Sequence, residues 1–279
     1  MRIKCWGARG SFPVSGPEYA RYGGDTCCVE VESSAGDIVL LDAGTGIRSF
    51  NKFSATVSEK PIHLVFSHFH LDHIIGFTGF SPIFKKNTTL HIYDNPFLPD
   101  STENALRNIM RAPYFPVDFN ELQASITFHK IGLDESFTVG ALKFTPICLN
   151  HPGGGSGYRI EENGKTFVFL TDNELEYGNP KFNAEYFETL CEKADLLIHD
   201  GAYTDEEYPR YKSWGHSKYT DTIRLALASN AKRLGIFHLD APRTDSQMDA
   251  IVEDAKKIIS EKGSNIECHG IGAGFEITI

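Results

Sequence analysis

The sequence has too few basic residues for a broad nucleic-acid surface. Lys and Arg number 27 against 37 Asp and Glu, so the formal net charge is −10. An extended interface with nucleic acid needs clustered Lys and Arg. The composition therefore argues against such a surface, although a small phosphate ligand held by metal ions stays compatible with it.

Cysteine pairs and long apolar runs are also missing. The six cysteines include no CxxC pair, so neither a zinc knuckle nor a redox motif is visible. Cys27 and Cys28 are adjacent and are expected on opposite faces of a strand. The N-terminus has no apolar signal region, and no apolar run approaches the roughly 18 residues that span a membrane. We predict a cytoplasmic protein that does not contact a membrane.

No linker, repeat or low-complexity segment divides the chain, so we expect a single domain over residues 1–279. Strands dominate the first half, and strands alternate with helices in the second, which predicts two packed sheets with helices outside. Strands are predicted at 28–32, 37–42, 62–67, 89–93, 126–131, 142–149, 157–161, 166–171, 196–200, 233–238 and 275–279. Helices are predicted near 47–53, 102–111, 184–193, 219–229 and 246–261.

One short segment carries most of the chemistry, Ser67-His68-Phe69-His70-Leu71-Asp72-His73. It follows an apolar run that reads as a buried strand, and ligands bind at such strand ends in α/β proteins. Imidazole and carboxylate together suit Zn, Mn or Fe. Four such side chains are too many for one tight site, which suggests two metals. The alternative is an exposed loop in which Asp72 caps a helix at Ile74.

The segment resembles the H-x-H-x-D-H signature of the metallo-β-lactamase superfamily. That resemblance implies an α/β (α+β) protein, a four-layer αββα sandwich with one or two metals at its top, and three further ligands downstream. Three residues at predicted strand ends resemble them. His151 resembles the third histidine of the first site, Asp172 the carboxylate that bridges the metals, and His238 the final ligand.

The resemblance thus implies two divalent ions, with zinc favoured and manganese or iron as alternatives. It also implies that Asp172 and a hydroxide would bridge the ions, an arrangement that would permit attack on a phosphodiester. Asp72 is counted as a catalytic residue as well as a ligand. Asp42 resembles the residue that supports a ligand histidine by a hydrogen bond, although a turn or a helix cap would also explain it. The first ion is assigned His68, His70 and His151; the second is assigned Asp72, His73 and His238.

A further pair resembles the ribonuclease Z and cyclic-nucleotide phosphodiesterase branch of the superfamily. There an acidic residue orients the histidine of a G-H-S turn, which protonates the leaving oxygen; here these would be Asp200 and His216. The tRNA-processing members usually carry Glu where this chain has Asp200, so the match is partial. Ser217 is expected to cap the helix that follows, and the alternative is a capping turn without chemistry.

These patterns predict a phosphodiesterase that hydrolyses small cyclic nucleotides. The alternatives are a ribonuclease Z-like nuclease that processes RNA and a protein that binds a nucleotide without turnover. Ribonuclease Z enzymes carry an extended basic arm, and only five residues separate Ile160 from the strand predicted at 166–171. Segment 96–123 is read as a core-covering loop, as a contact in a homodimer, or as a lid with base stacking on Tyr114 or Phe115.

Overall fold

Two seven-stranded mixed sheets form the framework of the protein, which a computed structural model describes over residues 1–54 and 60–279. The first sheet runs from edge to edge as β14 (Glu276–Thr278), β1 (Arg2–Gly7), β2 (Cys28–Glu32), β3 (Ile38–Leu41), β4 (Ile62–Val65), β5 (Thr89–Tyr93) and β6 (Ser125–His129). The second runs as β13 (Glu267–Gly270), β12 (Arg233–Phe237), β11 (Leu196–Asp200), β10 (Lys165–Leu170), β9 (Ser156–Glu162), β8 (Leu142–Cys148) and β7 (Phe137–Val139). The described α-helices are α1 (Ile47–Ser54), α2 (Leu71–Ile74), α3 (Thr102–Ile109), α4 (Ala184–Leu190), α5 (Tyr219–Ala228) and α6 (Asp245–Glu261).

The sheets face each other, and helices cover their outer sides. Successive residues of a strand point to opposite faces, so Val65 of β4 and Phe169 of β10 meet in the core between the sheets. Leu64 of β4 packs in a second core with residues of α1. Val168 of β10 packs in a third core with residues of α4, α5 and α6. The predicted αββα sandwich is confirmed.

Parallel strands bring distant parts of the chain to the same edge. Strands β3 to β6 are parallel to one another in the first sheet, and β10 to β13 are parallel to one another in the second. Neighbouring parallel strands end at a common edge, where α/β proteins place their ligands. The residues that follow β3, β4, β10, β11 and β12 therefore become neighbours in space.

Three strands and one helix were not predicted from the sequence. Strands β7 and β13 have three and four residues, too few to show a clear alternation of apolar and polar side chains. Strand β1 does alternate in burial, but it pairs with β2 and β14 from opposite ends of the chain. Helix α2 is a single turn inside the histidine-rich segment. Among the described helices, none has the length and apolarity needed to cross a bilayer.

Candidate metal centre and general acid

A first group of ligand atoms joins both sheets. Nitrogen atoms of His68, His70 and His151 and an oxygen of Asp172 all lie within 4.8 Å of one another. His151 Nε2 is 3.0 Å from His70 Nδ1, and His68 Nε2 is 3.6 Å from Asp172 Oδ2. The first two histidines follow β4, whereas His151 and Asp172 follow β8 and β10. The group therefore sits where the strand ends of the two sheets meet.

A second group shares Asp172 with the first. His73 Nε2 lies 3.2 Å from Asp172 Oδ1 and 3.3 Å from Asp72 Oδ2. His238 Nε2 lies 3.3 Å from Asp172 Oδ2 and 3.4 Å from Asp72 Oδ2. The seven residues assigned from the sequence as metal ligands are thus brought together, with the Asp172 carboxylate between the two groups. The Cys27 thiol also comes within 4.8 Å of ring nitrogens of His73 and His238, a contact that the sequence analysis did not foresee.

The two groups fit divalent metal ions. His68 Nε2 and His73 Nε2 are buried, and none of the polar atoms near them lies in hydrogen-bonding geometry, which is costly unless a ligand satisfies these nitrogens. Burial lowers the pKa of His68 well below its usual value and that of His151 to about 4, and neutral imidazole is the form that binds metals. Burial raises the pKa of Asp172, but its histidine neighbours outweigh burial and hold the pKa well below its usual range. Nitrogen and carboxylate donors at these separations suit Zn, Mn or Fe.

Unusual backbone conformations direct three of these side chains. Asp42, Asp172 and His238 have φ values of 63°, 48° and 57°, a region that few residues other than glycine adopt. Each lies at or just beyond the end of a strand, and the left-handed turn aims its side chain at the centre. Such conformations persist where the surrounding structure imposes them, and they cluster at functional sites.

Two glycines let the backbone approach the centre. A Cβ on Gly10 would lie 2.3 Å from the His238 ring, and one on Gly215 would lie 2.1 Å from His151 Nδ1. Gly215 also has a φ of 93°, and its carbonyl oxygen accepts a hydrogen bond from His151 Nδ1 at 3.1 Å. Any side chain at either position would displace a histidine of the centre.

Hydrogen bonds orient the histidines from behind. Asp42 Oδ2 accepts from His73 Nδ1 at 2.8 Å and from Ser67 Oγ at 2.8 Å, and Asp42 Oδ1 accepts from the Ser67 amide at 2.7 Å. Ser67 Oγ is also 3.0 Å from His68 Nδ1. The geometry suits the supporting role expected for Asp42. The sequence pattern predicts no role for Ser67, because a serine before a histidine carries no distinguishing pattern.

His216 stands beside the centre and is held by Asp200. His216 Nδ1 lies 2.7 Å from Asp200 Oδ2, and its ring stacks on His238 with centroids 4.6 Å apart. Burial lowers the pKa of His216, but the Asp200 carboxylate more than offsets this and raises the pKa to about 9. A ring nitrogen of His216 is also within 4.8 Å of ligand atoms of Asp172 and His238. The geometry therefore suits a proton donor and also permits metal ligation.

The predicted helix cap by Ser217 is wrong. The residue before α5 is Lys218, which makes no side-chain cap. Ser217 Oγ instead donates to the Asn173 carbonyl oxygen at 2.5 Å and accepts from the Leu175 amide at 3.0 Å. These bonds tie the Gly-His-Ser turn to the segment that follows Asp172, and this tertiary use of the hydroxyl outweighs the local capping preference.

A sandwich of two sheets with a His/Asp cluster at its parallel strand ends defines a metal-dependent hydrolase of the metallo-β-lactamase fold. The chain belongs to the beta-lactamase superfamily, because the model of that family's domain matches residues 38–239. Among curated proteins it is similar to a ribonuclease Z of Staphylococcus carnosus, with 25% identity over 80% of this chain and 85% of that protein. A ribonuclease Z of Thermococcus gammatolerans shows 25% identity over 82% of each chain.

Solved structures share the fold at low identity. The metallo-beta-lactamase fold protein YhfI from Bacillus subtilis gives a TM-score of 0.71 at 19% identity and covers 99% of this chain and 98% of its own. A diphosphatase of the PhnP family gives 0.70 at 19%, with coverage of 100% and 97%. Human tRNase Z, short form, gives 0.70 at 18%, with coverage of 100% and 99%.

Proposed function

We propose that the protein is a dinuclear-metal phosphodiesterase that hydrolyses small cyclic nucleotides. The observation that carries the proposal is the position of His216. Its ring stacks on His238, and its Nδ1 is hydrogen-bonded to the Asp200 carboxylate. A proton donor therefore lies directly beside the two groups of candidate metal ligands. A ribose alkoxide is a poor leaving group and needs such a proton, whereas many other substrates of this fold do not.

The metal assignment follows the two groups of side chains. His68, His70 and His151 would hold one ion, Asp72, His73 and His238 the other, and Asp172 would touch both. When bound, such ions provide a nucleophile at neutral pH and neutralise charge on the phosphoryl oxygens. Zinc suits these donors best, and manganese or iron would also fit.

The chain's own residues supply orientation and the proton. Asp200 fixes the orientation of the His216 ring, because it accepts the hydrogen bond from Nδ1. The proton that can be transferred is therefore on Nε2, and it goes to the leaving oxygen of the ribose. Asp42 accepts the Nδ1 hydrogen of His73 and so points its Nε2 toward Asp172. Asp72 accepts the Ser11 amide at 2.7 Å, which fixes the carboxylate between His73 and His238.

A small substrate is favoured by the short connection after β9. Strands β9 and β10 form a hairpin joined only by residues 163–164, so the basic arm expected of a tRNA-processing enzyme has no counterpart there. The net charge of −10 also disfavours a long polyanion. All six cysteines are free thiols, which agrees with the predicted cytoplasmic location.

A ribonuclease is the second candidate, because the curated relatives described above are named ribonuclease Z. The same centre and the same proton donor would serve an RNA phosphodiester. Binding of a nucleotide without turnover has no observation in its favour.

A hydrolysis screen tests the proposal. Cyclic mononucleotides, cyclic dinucleotides and a precursor tRNA should be compared as kcat/KM, with Zn²⁺ and Mn²⁺ supplied separately. We expect the cyclic mononucleotides to be cleaved much faster than precursor tRNA. The reverse order would replace the proposal with the ribonuclease.

A further inference from the structure

We propose that the loop formed by residues 208–214, here called the aromatic loop, is the platform on which the substrate's nucleobase stacks, with Trp214 as its main face. The inference rests on the proposed function, since it assigns the base subsite of the same centre. It concerns the nucleoside part of the substrate, whereas the metal ligands and His216 concern the phosphate.

The aromatic loop runs directly into the centre. Trp214 is followed by Gly215, whose carbonyl oxygen is bonded to His151 Nδ1 at 3.1 Å, and then by His216. The backbone next to the indole is therefore in contact with a proposed metal ligand. On this proposal, the nucleoside of a substrate whose phosphate lies at the centre extends toward this loop.

Tyr203, which lies outside the loop, and two rings of the loop form a row of ring contacts that runs from His216 to the surface. Tyr203 lies 6.0 Å from His216 between centroids, and Tyr211 stacks on Tyr203 at 4.5 Å with an interplanar angle of 9°. Trp214 meets Tyr211 edge to face at 5.3 Å and is 60% exposed. An indole that contacts one neighbouring ring and is otherwise largely exposed suits stacking with a planar ligand.

The charge of the loop matches a nucleotide. Arg210 and Lys212 alternate with the aromatic residues and are exposed, and the described part of the chain offers neither of them a carboxylate partner. Two cations without a carboxylate partner beside the exposed Trp214 ring, in a chain of net charge −10, favour a ligand that is both planar and anionic.

A buried carboxylate holds the loop in place. Glu174 accepts hydrogen bonds from Tyr208 Oη at 2.6 Å, from the Ser213 amide at 2.8 Å and from the Gly215 amide at 2.9 Å. Both ends of the loop are thus fixed to a residue only two positions beyond Asp172. Preorganisation of this kind lowers the entropic cost of binding, and Glu174 is a positioning residue.

Tyr114 provides the natural comparison. It is 75% exposed, and the sequence alone made it a candidate for base stacking. However, no aromatic ring among the described residues contacts Tyr114, and its backbone amide donates a hydrogen bond to the Arg111 carbonyl oxygen within the same turn. Nothing connects it to the centre, so Tyr114→Ala is a matched control for the loss of an exposed aromatic side chain.

The first experiment measures binding without turnover. The chain has two tryptophans, and Trp6→Phe leaves Trp214 as the only one. In the metal-loaded protein, titration with AMP or CMP, which are products of cyclic nucleotide hydrolysis and not substrates, should quench the indole fluorescence, whereas ribose 5-phosphate, which has no base, should not. Equal quenching by ribose 5-phosphate, or no quenching by either nucleotide, would overturn the platform. Quenching only by an oligoribonucleotide would likewise exclude a mononucleotide subsite.

The second experiment measures discrimination. Kinetics with a cyclic nucleotide and with glycerol 1,2-cyclic phosphate, a base-free phosphodiester, give a ratio of kcat/KM values. Trp214→Ala should lower this ratio ~5- to 150-fold through KM, since stacking of one base contributes about 1–3 kcal/mol. Trp214→Phe should restore most of the ratio, and Tyr114→Ala should not change it. An equal fall in kcat/KM for both substrates in Trp214→Ala would show that Trp214 only supports His216. A lower ratio in Tyr114→Ala would instead identify Tyr114 as the residue on which the base stacks.

The two proposals can fail separately. Quenching by nucleotides, in a metal-loaded protein that does not hydrolyse cyclic nucleotides, would refute the cyclic phosphodiesterase and leave the base-stacking proposal standing. Hydrolysis of cyclic nucleotides by Trp214→Ala with an unchanged ratio would retain the phosphodiesterase and refute the platform.

Discussion

Asp42 and His73 are 31 positions apart in the chain, yet Asp42 Oδ2 lies 2.8 Å from His73 Nδ1. Both side chains are fully buried, and the parallel pairing of β3 with β4 brings them together. The contact fixes which ring nitrogen of His73 faces Asp172. Metal ligands throughout proteins depend on such carboxylate partners for their orientation.

The first prediction concerns Asp42→Asn. Asparagine tolerates the left-handed backbone at position 42, so the change removes charge without adding strain. We expect metal affinity to fall by ~10- to 100-fold, as measured by competition with a chromophoric chelator. Asp249→Asn, on the surface beside Arg21, should leave the affinity unchanged. Unaltered affinity in Asp42→Asn would show that the histidine needs no such support.

Metal content provides the second prediction. Protein purified without chelator should contain close to two metal equivalents per chain by elemental analysis. Asp172→Asn should lower occupancy of both sites, because Asp172 lies between the two groups of ligands. His91→Gln is a suitable control, since His91 lies in β5 and pairs with His129. A fully active protein with a single metal would contradict the assignment.

The third prediction separates proton donation from metal binding. His216→Ala should keep its metal and should slow cyclic nucleotide hydrolysis by ~10²- to 10⁴-fold, the usual contribution of a positioned acid. Hydrolysis of bis(p-nitrophenyl) phosphate should slow far less, because p-nitrophenolate departs without a proton. Asp200→Ala should show the same pattern more weakly. If metal is lost with His216, the residue is a ligand and the assignment of the centre must change.

A histidine cluster far along β4 from the centre gives a pH prediction. His63 stacks on His91 at 5.0 Å, and His63 Nδ1 is 3.0 Å from Tyr93 Oη. Burial lowers the pKa of His63, and the neighbouring His91 and His129 lower it further. Asp37 acts in the opposite direction but is outweighed, so the pKa falls to about 4. The folded state then binds fewer protons than the unfolded state between pH 6.5 and about 4, so stability falls as the pH is lowered through this window.

Thermal melts of the EDTA-treated protein at pH 7 and pH 5 measure this effect. His63→Gln should reduce the loss of Tm on acidification relative to the wild type, because one of the buried imidazoles no longer titrates. The difference should be modest, since His63 is only half-buried and solvent screens part of the interaction. A His63→Gln variant with the same pH dependence as the wild type would exclude His63 as a source of acid sensitivity.

The sequence indicates candidate ligands directly where the pattern is local, because four potential ligands lie between His68 and His73. His151, Asp172 and His238 stand at predicted strand ends, but it is the resemblance to the superfamily that singles them out. The sequence could not show what depends on tertiary contact. Glu174 has no motif, yet it accepts three hydrogen bonds from a loop about forty positions away. Ser217 looked like a helix cap because capping is a local preference, but its hydroxyl is used across the fold.

The proposed ligands come from the strand ends of both sheets, and this ties the activity to the fold itself. A metal that contacts His68 from one sheet and Asp172 from the other would act as a cross-link between the two halves of the chain. Ligands that bind only the native state stabilise it by about 2.7 kcal/mol when their free concentration is a hundred times the dissociation constant. The melting temperature would then rise with the concentration of free metal. A chelator would weaken the association of the two sheets and abolish turnover at the same time.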